Sequence, residues 1–317
     1  MTWFVLTLSC IVMWGITYIL FKVSSDYNDP LAHYKNFVWV GIIMALAGGM
    51  MITWSDTLGT SIETVKDNLY LMPLCLVYAG AFFFGLLGIK YLDASVVSPL
   101  ENIDGGLAAI IMCLYFMLNG YSNITSRIGV LVIIAAVVIV VGVVFLGLEE
   151  HKLSKQEANL PKEKKRHRLG ALALIFPLIY NLADAVSMIA VGITVSAESE
   201  INIPDIDFFI FECAGFVLAA IFVWLYMLVV KKYAYIPFEP EEMVRCGAAT
   251  GETFGTMFFI LAAARNPILT APVTSTCCLV TIVLARVFLK ERLTKKQSLS
   301  VALLVIGIAL FGLSEIF

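Results

Sequence analysis

Ten times along the chain a run of about 20 apolar residues gives way to a polar stretch, and this pattern restricts the fold more than any other feature. A helix rising 1.5 Å per residue needs about 20 residues to cross roughly 30 Å of hydrocarbon. The residues are 60% hydrophobic and 14% charged, with a mean hydropathy of +0.92, whereas soluble domains carry about 25% charged residues. The expected fold is therefore all-α and integral to a membrane, with ten transmembrane helices. They fall at 3–21, 31–53, 69–89, 94–117, 127–148, 169–193, 208–230, 243–263, 267–289 and 297–316. The first run has no basic residues before it and no small-residue cleavage site, so it reads as a retained span.

Most connections are short, which makes successive helices antiparallel neighbours. The exception is 149–168, EEHKLSKQEANLPKEKKRHR, a basic, proline-interrupted linker between a first five-helix repeat at 1–148 and a second at 169–317. Five spans is an odd number, so the two halves have opposite orientation in the membrane, as in the inverted repeats of secondary transporters. Internal similarities agree. VVGVVFLG at 140–147 parallels VIGIALFG at 305–312, Pro99 parallels Pro272, and VMWGITY at 12–18 parallels LIYNLAD at 178–184. The loops on one side, counted with Lys35 and Arg245 at the adjoining span ends, hold 17 of the 21 Lys and Arg residues, which places that side in the cytoplasm and both termini outside.

Buried acids direct attention to function. The fourth span carries Glu101, Asn102 and Asp104 just after Pro99, and a carboxylate near the bilayer centre costs roughly 2.5–3.5 kcal/mol. Asp104, Asp184 and Glu252 lie about 15, 22 and 14 Å into their spans, and Glu101 about 10 Å. Glu212 and Arg286 are near enough to span ends to be expected to snorkel to the interface. No basic residue stands at the depth of the other four acids, and burial disfavours a carboxylate's charged form. Such a set suits a cationic or zwitterionic solute, an exchangeable proton, or both. In the alternative, the acids are permanently protonated and hydrogen-bonded to neighbours such as Asn102, Asn181 and Thr253. Trp14, Tyr18, Tyr78 and Tyr180 fall within the spans and offer π-faces to an organic cation. These four aromatics, the four acids, Asn102 and Asn181 are the candidate substrate- or proton-binding residues.

The C-terminal stretch APVTSTCCLVTIVLARVFLKERLTKKQSLSVALLVIGIALFG resembles the end of the drug/metabolite transporter superfamily, EamA-like branch. It carries the Glu291-Arg292-Leu293-Thr294 turn and the glycines Gly307 and Gly312 of the last helix. MWGITYILFK at 13–22 is similar to the family's first span. The resemblance implies ten spans in two inverted halves and transport by alternating access. Two features depart from the family: Asn119 stands where the first half would carry the matching Glu, and family members often keep their termini in the cytoplasm.

No nucleotide-binding loop, HExxH motif or CxxC pair is present, and all seven cysteines lie in apolar runs. Neither an enzyme, a metal site nor a cofactor is expected. The reading is a secondary transporter of a small polar metabolite, with protons or another ion for coupling; a transporter of an anionic solute such as a sugar nucleotide is the first alternative, and an integral-membrane enzyme or receptor the next. The expected partners are a small-molecule substrate and the lipid bilayer, with no nucleic acid, and the expected assembly is a monomer or homodimer. The expected location is the cell membrane, plasma or inner, with an endomembrane as the alternative.

Overall fold

The computed structural model describes residues 2–26, 29–54, 63, 66–118, 130–156, 169–196, 201, 203–237 and 242–314. Helices stand where the apolar runs are, and no strand occurs among the described residues. In chain order they are α1 (Thr2–Ser24), α2 (Ala32–Trp54), α3 (Met72–Tyr91), α4 (Ala94–Glu101), α5 (Asp104–Leu118) and α6 (Val130–Gln156). There follow α7 (Ile175–Val195), α8 (Asp205–Val229), α9 (Met243–Ala263), α10 (Pro267–Thr274), α11 (Cys277–Leu284) and α12 (Lys295–Ser314). Short 3₁₀ turns lead into α3 and α7, and a π turn extends α11 to Leu289. Six stretches of described helix are long and apolar enough to cross a membrane: Thr2–Ser24, Ala32–Thr53, Leu69–Tyr91, Gly170–Val195, Asp205–Val229 and Pro267–Leu289. This is a multi-pass helical membrane protein.

Two of the expected spans are broken rather than continuous. α4 and α10 are each eight residues long, and each is followed by a two-residue break before α5 or α11 begins. Each short helix carries a proline, Pro99 or Pro272, which removes one backbone donor and crowds the turn before it. Polar side chains take up carbonyls around both breaks. Asn102 donates to Ser98 O at 2.7 Å and Asn181 to Leu100 O at 2.5 Å. At the second break Thr274, Ser275 and Thr276 turn their hydroxyls back on Ala271 and Val273 carbonyls at 2.7–3.0 Å. The breaks meet, since Cys277 Sγ donates to Asn102 Oδ1 at 3.1 Å. Gly105 permits that crossing, because a Cβ there would run into Ser275 Oγ and Ala271 O.

The main packing pairs are α1 with α9, α2 with α8, α3 with α7 and α6 with α12, while α5 crosses α10 and α4 crosses α11. α9 approaches α1 along Gly251 and Gly255, where added methyl groups would strike Thr17 and the Trp14 ring. That close seam is the observed role of these glycines.

At the end of the bundle where α1 finishes and α9 starts, polar ties join the elements. Lys22 donates to the Ile89 and Leu92 carbonyls at 2.8 and 2.6 Å, and Lys90 to Asp29 O at 2.6 Å. Arg245 pairs with Glu242 at 2.7 Å and donates to Ser24 O at 3.0 Å. Burial alone would raise the Asp29 carboxyl. The Lys35 hydrogen bond at 2.8 Å, the Leu31 N–H and the charges of Lys35 and Arg245 outweigh it and hold the group below its ordinary value.

The Glu-Arg-Leu-Thr turn belongs to this layer and performs a structural task. Lys290 adopts the left-handed conformation at φ 54°, ending the π turn. Glu291 then accepts from Ala94 N (2.9 Å), Ser95 N (2.9 Å) and Ser95 Oγ (2.7 Å), capping the buried start of α4. Thr294 and Gln297 form a reciprocal capping box at the start of α12. α10 needs no second glutamate, because Asn266 accepts from Leu269 N at 3.1 Å and Pro267 fills the first position. This accounts for the missing counterpart in the first half; Asn119 itself lies outside the described residues.

The linker differs from expectation. α6 runs on to Gln156, so residues 149–156 are helical rather than tether. Glu149 and Glu150 are held by Thr294 at 3.3 Å and Gln297 at 2.8 Å, which extends the helix past the apolar run.

Candidate functional site

The carboxyls come together. Glu101 at the end of α4, Asp104 at the start of α5, Asp184 in α7 and Glu252 in α9 all line one cavity, with Asn102 beside them. Trp14 and Tyr18 from α1, Tyr78 from α3 and Tyr180 from α7 line it too, so nine of the ten candidate residues share this wall. The helix break positions two of them. Interrupting α4 frees the N-terminus of α5, and Asp104 occupies it, its Oδ1 accepting from Gly105 N at 2.7 Å. Glu101, at the last position of α4, lies over α3, where Gly88 has no Cβ to meet its Oε1.

Each acid has a hydroxyl or carboxyl neighbour. Tyr18 donates to Glu101 Oε2 at 2.7 Å. Tyr78 and Thr256 donate to Glu252 Oε1 at 3.0 and 3.3 Å. Asp104 and Asp184 face each other within hydrogen-bonding reach, and Tyr180 reaches Asp184. Three buried polar atoms on the wall have no partner: Glu101 Oε1, Trp14 Nε1 and Thr17 Oγ1. An unsatisfied buried polar group costs about 1–3 kcal/mol, and these three lie on one cavity wall. It offers a carboxyl oxygen, an N–H donor and a hydroxyl within one enclosure. None of the residues lining the cavity is Lys, Arg or His.

The enclosure is tight. Its volume is about 30 Å³, counted as space open to water centres, where one water needs about 10–15 Å³. Room for about two waters means that the cavity holds no larger solute in this conformation. Phe21 and Phe82 line it and pack edge to face with centroids 5.6 Å apart.

Two residues depart from their expected places. Asn181 does not line the cavity; its amide is occupied with the Leu100 and Pro177 carbonyls, at 2.5 and 2.7 Å, behind the wall. Glu212 does not snorkel: it is 2% exposed, with Oε1 buried and unpartnered. Its position near a span end suggested an exit to the interface, but α8 turns it into the bundle, towards Cys75 of α3. Arg286 is exposed, as expected. Thr17 was missed by sequence reasoning; its place one turn from Trp14 and beside Tyr18 is the signal that would have found it.

No family model matches the chain, and no curated protein matches it. Solved structures do. One crystal structure, 15% identical, aligns over 98% of this chain and 96% of its own with a TM-score of 0.57. At that identity the likeness is one of fold, over nearly the whole length of both chains.

Proposed function

We propose that this protein is a secondary transporter of a small cationic or zwitterionic metabolite. It works by alternating access between two inverted five-helix halves that together make ten spans. The single observation that carries the reading is the narrow cavity lined by four carboxyls, six aromatic side chains and no cation. Cations are drawn to such a site by charge and by aromatic faces. An anion such as a sugar nucleotide would find no basic side chain on the wall.

The packing supports the inverted halves. Exchanging each helix for its counterpart five spans on turns the α1–α9 pair into α7–α3, and returns α2–α8 and α6–α12 to themselves. The two broken helices also share one register, with α4 and α10 starting at Ala94 and Pro267 and α5 and α11 at Asp104 and Cys277. A substrate site between repeats at mid-membrane is the usual place in such transporters. A site holding only about two waters opens when α1 and α9 separate from α3 and α7, first towards one face and then the other. Transport, rather than chemistry on a bound solute, accounts for acids set this deep. The EamA-like branch of the drug/metabolite transporters is the family this architecture fits.

The test is replacement of Asp104 by Asn and Glu252 by Gln in reconstituted protein. Both variants insert and fold, and both lose solute accumulation. Wild-type rates in both would remove the acidic cavity from the mechanism.

A further inference from the structure

Glu212 stands outside the cavity, yet its surroundings relate it to the site. It sits seven residues into α8, about 10 Å from the helix start. That start marks one face of the bundle, because Asp205 there approaches Arg265, just beyond the end of α9, at 3.6 Å. Glu252 is eleven residues, about 16 Å, from the same end of α9. Glu212 is therefore the carboxyl one step from the cavity towards that face. It is 2% exposed and has one oxygen without a partner.

The groups around it are acids and thiols. α3 presents Cys75, within hydrogen-bonding reach, and one turn later Tyr78, which donates to Glu252 at 3.0 Å and packs against Phe216 of α8 at 5.2 Å. α7 contributes Asp184 and α9 contributes Glu252 as its charged neighbours. α2 offers Met44 and Gly48, which contact the adjacent Cys213. No cation is among these groups. Burial at this depth without a counter-charge is costly for a carboxylate, and neither packing nor an ion pair explains why one is there.

We propose that Glu212 is a proton-binding site that relays protons between the bundle face marked by Asp205 and the central acids. A proton arriving from that face adds to the Glu212 carboxylate. It then passes to Glu252, whose Oε1 accepts from the Tyr78 hydroxyl, and Glu212 is left ionised to accept the next. Only H⁺ moves; no bond besides O–H forms or breaks, and no redox partner is involved. The inference rests on the transport reading above and adds to it a route for the coupling ion.

The test separates exchange from coupling. Reconstituted protein is assayed with radiolabelled ethanolamine as the probe, a primary ammonium carrying a hydroxyl. Counterflow moves no net proton, while uptake against an imposed pH gradient requires proton movement. The expected result is that Glu212→Gln keeps counterflow within twofold of wild type and loses gradient-driven accumulation at least tenfold, with Glu212→Asp recovering part of it. Retained counterflow shows that the variant is folded. Gradient-driven accumulation by Glu212→Gln at the wild-type level overturns the relay, as does loss of counterflow and accumulation in parallel in both variants. Absence of wild-type counterflow with ethanolamine and with every other primary amine, quaternary ammonium compound and amino acid tried overturns the transport reading itself.

Discussion

Glu101→Gln separates binding from folding. In the wild type Tyr18 holds Oε2 at 2.7 Å, while Oε1 lies buried over Gly88 with no partner. The amide is nearly isosteric, and its oxygen can keep the Tyr18 bond. Its NH₂ then stands where the free acceptor stood, so a donor faces any ammonium in the cavity. The loss is one hydrogen bond to a charged group, about 1.5–3 kcal/mol, or roughly a 10–150-fold weaker affinity at 1.4 kcal/mol per decade. Stability moves the other way or not at all, because a buried acid without a cation is replaced by a neutral group. The expected pattern is a thermal midpoint at or above wild type, together with a 10–150-fold rise in the concentration of amine needed for half-maximal counterflow. Tyr18→Phe keeps the carboxylate but not its alignment, and should weaken binding less, by about tenfold. Wild-type affinity in Glu101→Gln, or a fall in its midpoint, would refute the assignment of the free oxygen to a ligand.

Two further outcomes concern the layer that fixes the broken helices. Glu291→Ala strips three hydrogen bonds from the buried start of α4; with two backbone donors orphaned it should destabilise the protein by about 3 kcal/mol, and Glu291→Gln by less, as read by unfolding in detergent. An alanine variant as stable as wild type would mean that α4 does not depend on this cap. Asp29 carries the pH dependence of the same layer. Its folded-state carboxyl lies below the ordinary value of 3.8, so its contribution is fully present above that value and is lost as pH falls through the folded one. The stability gap between wild type and Asp29→Asn should be constant well above the ordinary value of 3.8 and close as the pH is taken below it; a gap that persists in strong acid would contradict the Lys35 pairing.

The membrane class and the acid set were legible in the sequence because both depend on local composition. Runs of 20 apolar residues have few alternatives, and carboxyls within them are costly enough to stand out. Depth singled out Glu101, Asp104, Asp184 and Glu252, and the rotation of their helices brings them to one cavity. Side-chain direction was less legible. Asn181 is twelve residues, more than three helical turns, from the end of its apolar run and looks like a cavity residue, yet the Leu100 carbonyl just after Pro99 takes its amide NH₂. Glu212 is shallow enough to reach the interface, but the rotation of α8 against α3 turns it inward, and rotation is a property of packing. The break at Asn102–Ile103 was foreshadowed by Pro99 only as a kink. What opens it fully is the crossing of α5 over α10 at Gly105, a contact between residues more than 160 positions apart. The Glu-Arg-Leu-Thr turn was the most specific motif in the chain, and its residues build helix caps rather than the site.

The sign of the charge that the cavity accepts is decided by counterflow in liposomes reconstituted with wild-type protein, run side by side with primary amines, zwitterionic amino acids, quaternary ammonium compounds and sugar nucleotides. Four carboxyls with no basic side chain on the wall call for exchange of ammonium-bearing solutes and none of the nucleotides, abolished in the Asp104→Asn variant. Exchange of sugar nucleotides alone would contradict the acidic-cavity account.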